Sequence, residues 1–113
     1  MRDSQPIIEI RPSQIHGLGL FAKTDIFKND IILNIQEERI EDSRTENLGE
    51  LSRFLDTRKD GSRVLITGPE KYCNWPSSGL ANTKIIQDGD NRLLVAAKDI
   101  LINEEITTEH MMR

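Results

Sequence analysis

Short apolar runs rich in Ile, Leu and Val alternate along the chain with turns rich in Gly, Asn and Asp. Such runs are typical of β-strands when turn residues bound them on both sides. The predicted strands cover residues 7–11, 31–35, 63–67, 83–87, 92–97 and 106–108, with a glycine-spaced apolar segment over residues 17–22. Many short strands separated by turns predict one mostly β domain with little helix over residues 1–113.

Two further segments carry weaker signals. Leu48, Leu51, Phe54 and Leu55 have helical spacing, which predicts a short helix. The Asp60-Gly61 pair is typical of a tight hairpin turn and would instead join a strand over residues 53–57 to the strand over residues 63–67. Both interpretations stay open here. After the break at Gly68-Pro69, residues 70–73 are predicted to form one helical turn.

Composition limits the class of protein. The hydrophobic content of 36% is ordinary for a globular domain, and only five residues are aromatic, so the core is predicted to be aliphatic. No apolar run approaches the roughly 20 residues that cross a bilayer, and residues 1–5 lead into no signal-type stretch. These features predict an intracellular protein without a membrane partner. The single Cys73 excludes an internal disulfide and a cysteine cluster for zinc, and no metal is predicted.

Charge is concentrated in residues 37–50, whose net charge of −4 equals that of the whole chain. Binding to a phosphate backbone requires a basic face, which this chain does not offer, so nucleic acid is excluded as a partner. The acidic segment could attract a basic peptide. The alternative is a solvated, mobile stretch without a partner.

Three ordered motifs carry a resemblance to a known family. They are Ser13-Gln14-Ile15-His16-Gly17-Leu18-Gly19-Leu20-Phe21-Ala22 followed by Asp25-Ile26, Tyr72-Cys73-Asn74-Trp75-Pro76 followed by Ala81-Asn82-Thr83, and Ala97-Lys98-Asp99-Ile100 leading to Asn103-Glu104-Glu105-Ile106-Thr107. In this order they resemble the motifs of the SET domain, the fold of protein lysine methyltransferases. The resemblance covers nearly the whole chain except residues 37–60, which match none of the three motifs.

The resemblance implies a β-clip of several short sheets with a knot-like crossing of the C-terminal strand. It also implies S-adenosylmethionine as the cofactor, held by the backbone of His16-Gly17-Leu18-Gly19, by the Asn74 amide at its methionine end and by Trp75 at its adenine. Other roles remain open for the same residues. Gly17 and Gly19 also fit a bulge or tight turn, Asn74 a buried amide that organises a loop, and His16 a surface turn.

The chain departs from the family pattern where catalysis would occur. SET enzymes orient the substrate amine with tyrosines, and His110 stands where one of them follows the third motif. His110 is therefore the candidate catalytic residue, with an exposed residue near a frayed terminus as the alternative. The chain's one tyrosine, Tyr72, lies at a position that the family uses for packing. Trp75-Pro76 replaces His-Ser, and no cysteine-rich segment follows His110 to complete a substrate channel.

The matching motifs and the altered catalytic positions together leave two candidate functions. The first is an S-adenosylmethionine-dependent methyltransferase that acts on a lysine in a protein or peptide. The alternative is a catalytically inactive SET-like module for binding or dimerisation, in which the chain forms a homodimer. An open cleft between the Gly17 loop and Asn74 would favour the first, and a cleft filled by Trp75 would favour the second.

Overall fold

Short antiparallel strands account for most of the architecture. The computed structural model describes residues 7–41 and 48–109. Within them, the strands in chain order are β1 Ile8–Pro12, β2 Leu18–Ala22, β3 Ile31–Asn34, β4 Glu37–Arg39, β5 Leu55–Thr57, β6 Arg63–Ile66, β7 Thr83–Asp88, β8 Asn91–Ala96 and β9 Glu105–Ile106. Two 3₁₀ turns cover Gly49–Phe54 and Pro69–Tyr72.

The strands form three small sheets in the orders β1-β2-β9, β3-β8-β7 and β4-β6-β5, and every neighbouring pair is antiparallel. The prediction of a mostly β domain with several short sheets is confirmed. The hairpin predicted around Asp60-Gly61 is the β5–β6 pair, and Gly61 takes the positive φ of 90° that a tight turn requires. The helical spacing was also partly right, because a 3₁₀ turn leads directly into β5.

Aliphatic side chains fill the core, as the composition predicts. Leu20, Ile26, Leu94, Ile100 and Ile106 are almost completely buried in one cluster, which also includes residues of β6 and so joins all three sheets. A smaller cluster, formed by Ile40, Leu55 and Leu65, lies on the third sheet. Among the described residues, no helix is long and apolar enough to cross a membrane.

The acidic segment is partly built into the fold, which the charge pattern did not predict. Glu37 begins β4 and pairs through Oε1 with Nη2 of Arg92 at 2.6 Å and through Oε2 with Nε of Arg58 at 3.4 Å. Arg92 also pairs with Asp56 at 2.9 Å; Asp56, Arg58 and Arg92 are buried, and the Glu37 side chain is only 11% exposed. The solvated interpretation of residues 37–50 is therefore wrong for Glu37, because buried charges are stable only when paired. Residues 42–47 lie outside the described part.

Residues 105–109, the crossing segment, run between two parts of one loop. On one side Asn74 pairs in parallel with Thr107. On the other side the Oγ1 of Thr83 donates to the Thr107 carbonyl at 2.6 Å, and the Oδ1 of Asn82 accepts from the Thr107 N–H at 2.8 Å. The chain from residue 74 to residue 83 therefore encloses the crossing segment, in the knot-like arrangement that the resemblance implies.

Candidate functional site

A hydrogen-bonded turn, residues 13–18, forms one wall of the candidate site and is named here the Gly17 loop. The Ser13 N–H donates to the Gly17 carbonyl at 2.8 Å, and the Ser13 hydroxyl accepts from the Ile15 N–H at 2.8 Å. Gly17 has a φ of +46° and open space where a Cβ would stand. A glycine is therefore required at position 17 because the turn has a left-handed backbone there.

Gly19 is required for a different reason. A Cβ at this position would collide with Oε2 of Glu105 and would lie 2.9 Å from the Ser13 Cβ. The Ser13 hydroxyl lies 2.9 Å from both oxygens of the Glu105 carboxylate and donates to it. The missing side chain at Gly19 thus makes room for a carboxylate that joins the Gly17 loop to the crossing segment.

Asn74 connects three segments through one amide group. Its Nδ2 lies 3.0 Å from the His16 carbonyl, 3.1 Å from the Leu18 carbonyl and 3.0 Å from Oε2 of Glu105. Asn74 is buried, and its backbone carbonyl accepts a hydrogen bond from the Thr108 N–H at 2.9 Å. Asn74 therefore fixes the position of the Gly17 loop relative to the crossing segment, as expected of a loop-organising amide.

A cleft of about 270 Å³ opens beside this junction and is named here the Asn74 cleft. It brings together three residues that the motifs predicted, His16, Leu18 and Asn74. Four further residues complete its walls, namely Arg53, Phe54, Lys71 and Tyr72. Arg53 and Phe54 lie in residues 37–60, which match none of the motifs, so neither residue was predicted from the sequence. Their proximity to Asn74 depends on how the β4-β6-β5 sheet packs, which no local pattern encodes.

Two rings and two cations give the Asn74 cleft its chemical character. Phe54 and Tyr72 meet edge to face, with centroids 6.3 Å apart and planes at 74°. The Arg53 guanidinium lies 5.1 Å from the Phe54 centroid, and the Lys71 ammonium lies 5.5 Å from the centroids of both rings. Within residues 7–41 and 48–109, neither cation forms an ion pair with a carboxylate. The cleft therefore suits a ligand that has both a flat ring and an anionic group.

A buried carboxyl group supports the wall that carries Lys71 and Tyr72. Glu70 lies in the 3₁₀ turn Pro69–Tyr72 and is fully buried, and its Oε2 accepts from the Gln36 N–H at 2.6 Å. A Cβ at Gly68 would lie only 2.5 Å from one Glu70 oxygen, so the carboxyl group depends on that glycine. Burial raises the pKa of Glu70 above its ordinary value, against the lowering effect of backbone hydrogen bonds.

The remaining predicted residues lie around the cleft. Trp75 is 40% exposed and is not among the residues that line the Asn74 cleft, so the indole does not fill it. Gly17 and Gly19 shape the adjoining turn without lining the cleft themselves. His110 lies outside the described residues. Glu105 belongs to the third motif, and its contact with Gly19 and Asn74 was not predicted because the pairing joins residues far apart in sequence.

A larger cleft of about 480 Å³ has different surroundings. Its walls include Glu37, Arg58 and Asp90, and it shares no lining residue with the Asn74 cleft. Glu37 and Arg58 form an ion pair with each other, and the Arg58 guanidinium donates a hydrogen bond to the Asp90 carbonyl at 2.6 Å. We therefore assign these charged side chains a structural role in holding the sheets together. Among the described residues, no group of His, Cys, Asp and Glu is placed to hold a metal ion.

Comparison with known proteins adds evidence independent of this geometry. The family model described as SET domain matches residues 17–110. A Schizosaccharomyces pombe protein named histone-lysine N-methyltransferase, H3 lysine-4 specific, is 28% identical over 117 residues, which cover 88% of this chain and 12% of that protein. A crystal structure of a Plasmodium falciparum candidate histone methyltransferase superposes with a TM-score of 0.71, at 26% identity and over 93% of both chains.

Proposed function

Because this chain belongs to the SET-domain family, we propose that it binds S-adenosylmethionine in the Asn74 cleft and methylates a lysine side chain of a protein. The observation that carries the proposal is the open cleft lined by His16, Leu18 and Asn74, with Trp75 outside it. The size of the cleft, about 270 Å³, is close to the lower end of the range for small-molecule sites.

The residues present fit the cofactor chemically. Phe54 and Tyr72 offer aromatic surfaces to an adenine ring, and Arg53 and Lys71 offer positive charge to a carboxylate. The cleft needs no rearrangement of Trp75 to admit such a ligand. His16, Gly17, Leu18 and Gly19 are proposed to contact it through the backbone, and Trp75 through its main chain.

When bound, S-adenosylmethionine supplies a methyl group on a positively charged sulfur. The protein must hold a neutral lysine amine in line with that methyl group, which is a task of orientation more than of basicity. Asn74 and Glu105 contribute by keeping the Gly17 loop in one position. We propose that His110 lies near the amine, where its imidazole can accept a hydrogen bond from the amine and help to orient it.

The curated relative suggests the first substrate to test. Its name specifies lysine 4 of histone H3, and this chain spans only 12% of that protein. We expect a histone H3 N-terminal peptide to accept a labelled methyl group, and the same peptide with arginine in place of lysine to accept none. The Asn74→Ala variant should lose the activity, and Asn34→Ala, which changes an exposed asparagine of β3, should keep it.

Calorimetry tests the cofactor separately from turnover. We expect S-adenosylmethionine and its demethylated product, S-adenosylhomocysteine, to bind the wild-type chain. If neither compound binds at millimolar concentration, the proposed function is wrong. Methyl incorporation into a histone mixture or cell lysate provides a wider search for the substrate if the H3 peptide is inert.

A second candidate function is a module that recruits a partner or dimerises without methyl transfer. One observation favours it. Tyr72, the chain's one tyrosine, packs edge to face on Phe54, and the family's amine-orienting tyrosines are replaced. Binding of S-adenosylmethionine without methylation of any lysine substrate would support this function. Gel filtration coupled to light scattering would show whether the chain is a homodimer.

A further inference from the structure

We propose that two copies of this chain associate through the outer edge of β7, antiparallel to each other, about a two-fold axis at Ile86. In this arrangement Lys84 of each copy faces Asp88 of the other. Since it names a surface for the homodimer, the pairing rests on the second candidate function and does not depend on methyl transfer.

The strand β7 is regular and has one open edge. It covers Thr83–Asp88, lies at the outer end of the β3-β8-β7 sheet and pairs with β8 over its six residues without a bulge. Proteins usually protect an edge strand by making it very short or by placing a proline or a bulge in it, and β7 has none of these. A cleft of about 200 Å³ lies between Ile85 and Gln87 on one side and Asp56 and Thr57 on the other, so β5 does not cover the edge.

The alternation of hydrogen bonds along β7 determines which backbone groups are free. The β7–β8 hairpin closes through a two-residue turn, and at its other end the Ala97 N–H donates to the Asn82 carbonyl at 2.9 Å. The even-numbered residues of β7 therefore hydrogen-bond to β8, and the odd-numbered ones point away from it. The N–H and C=O groups of Ile85 and Gln87 consequently face outward. Among the described residues, no backbone group pairs with them on that side.

The side chains of β7 favour a second copy of the chain as the partner. Lys84, Ile86 and Asp88 alternate along one face of the strand, and all three are exposed. A two-fold axis at Ile86 lets Ile85 of one copy exchange hydrogen bonds with Gln87 of the other. The same axis sets isoleucine against isoleucine and lysine against aspartate, and cross-strand pairs of opposite charge are stabilising. An axis at either neighbouring residue would set a charged side chain opposite Ile86.

The alternative is that Lys84 protects the edge from any partner, as lysine commonly does. An edge that repels copies of itself would carry the same charge near both ends, because those ends meet in an antiparallel pair. β7 carries opposite charges at these positions. Within residues 7–41 and 48–109, neither Lys84 nor Asp88 forms an ion pair, so both charges are available to a second copy.

Charge reversal at low salt tests the pairing by sedimentation equilibrium. A single strand pair is a small interface of the weak class, so the wild-type chain is measured up to about 1 mM. We expect a dimer whose fraction rises with concentration. Lys84→Asp and Asp88→Lys each set like charges opposite each other at both ends of the pair, and each should weaken the dimer about tenfold.

Two rescue experiments distinguish a direct contact from an indirect effect. The chain that carries both Lys84→Asp and Asp88→Lys restores opposite charges in its own dimer and should associate like the wild-type chain. An equimolar mixture of the two single variants should also recover association, because one chain is then acidic and the other basic at both positions. Recovery in the mixture requires that residues of different copies meet.

Two further variants test the backbone and the effect of net charge. Gln87→Pro removes an outward N–H that β8 does not use, and proline is tolerated at such a position of an edge strand. It should abolish the dimer, while thermal unfolding of the dilute monomer changes little. Lys98→Asp changes the net charge as Lys84→Asp does, at an exposed position outside β7, and should leave association unchanged.

The failures of the edge pairing and of the proposed functions are distinguishable. A wild-type chain that stays monomeric up to about 1 mM would overturn the pairing and the homodimer, and would leave the methyltransferase function untouched. A dimer that withstands both charge reversals and Gln87→Pro would form through another surface, so the pairing would be wrong and the homodimer would stand. Weakening by the single variants without recovery in their mixture would also refute the facing of Lys84 and Asp88.

Discussion

Asn82 offers a direct test of how the crossing segment is held. Its Oδ1 accepts from the Thr107 N–H at 2.8 Å, and its Nδ2 donates to the Glu105 carbonyl at 2.9 Å. The side chain is 4% exposed, so water reaches these groups poorly. Replacing Asn82 by alanine removes the partner of the buried Thr107 N–H and of the partly buried Glu105 carbonyl.

The magnitude follows from those two groups. An unsatisfied buried polar group costs about 1–3 kcal/mol, so Asn82→Ala is expected to lower the free energy of unfolding by about 3 kcal/mol. In a domain of this size each 1 kcal/mol lowers Tm by roughly 4 °C, which predicts a total decrease of about 12 °C. The same change should loosen the Asn74 cleft, because the crossing segment also holds Asn74 in place.

Urea unfolding followed by the fluorescence of Trp75, the chain's one tryptophan, measures the loss. Asn34→Ala is the matched control, since it removes an exposed amide and is expected to change the free energy of unfolding by less than about 0.5 kcal/mol. A loss below about 1 kcal/mol in Asn82→Ala, with the control unchanged, would refute the reasoning. It would mean that water or a backbone shift satisfies the groups that Asn82 leaves.

Three further predictions test other contacts. Gly19→Ala should destabilise the fold by about 2 kcal/mol in thermal unfolding, because its methyl group displaces the Glu105 carboxylate. Arg92→Ala should cost about 3–5 kcal/mol in urea, because it leaves the buried Asp56 without its cation and leaves Glu37 only its longer pairing with Arg58. Glu70→Gln should gain stability over the wild-type chain as pH rises from acid to neutral. The raised pKa of Glu70 means that folding favours its neutral form, so the wild-type chain loses stability as that group ionises. An unchanged difference across this pH range, or small losses in the other two variants, would contradict these assignments.

The strands were predictable where apolar residues and turn residues follow each other closely. The runs at residues 31–35, 83–87 and 92–97 became β3, β7 and β8 with shifts of one residue at their ends. These strands contribute several of the buried aliphatic residues, so local pattern and tertiary packing agree. The short β4 was missed because its sequence, Glu-Glu-Arg, has the composition of an exposed segment.

The candidate site was predictable only in part. The motifs identified His16, Leu18 and Asn74, which do line one cleft. They could not identify Arg53, because its position depends on the packing of a 3₁₀ turn against the Pro69–Tyr72 turn. Nor could they show that Gly19 accommodates a side chain 86 positions further along the chain, since that contact exists only once the crossing has formed.

The crossing segment has a consequence for the order of events during folding. Its contacts with the enclosing loop join residues separated by 23 to 34 positions, and such non-local contacts form slowly. The segment must also enter a loop that the chain has already closed, which is an uncommon step in protein folding. We therefore expect a refolding chain to recover its β-sheet signal before it regains affinity for ligand. A delay between these two signals in stopped-flow refolding would show that the Asn74 cleft is completed last.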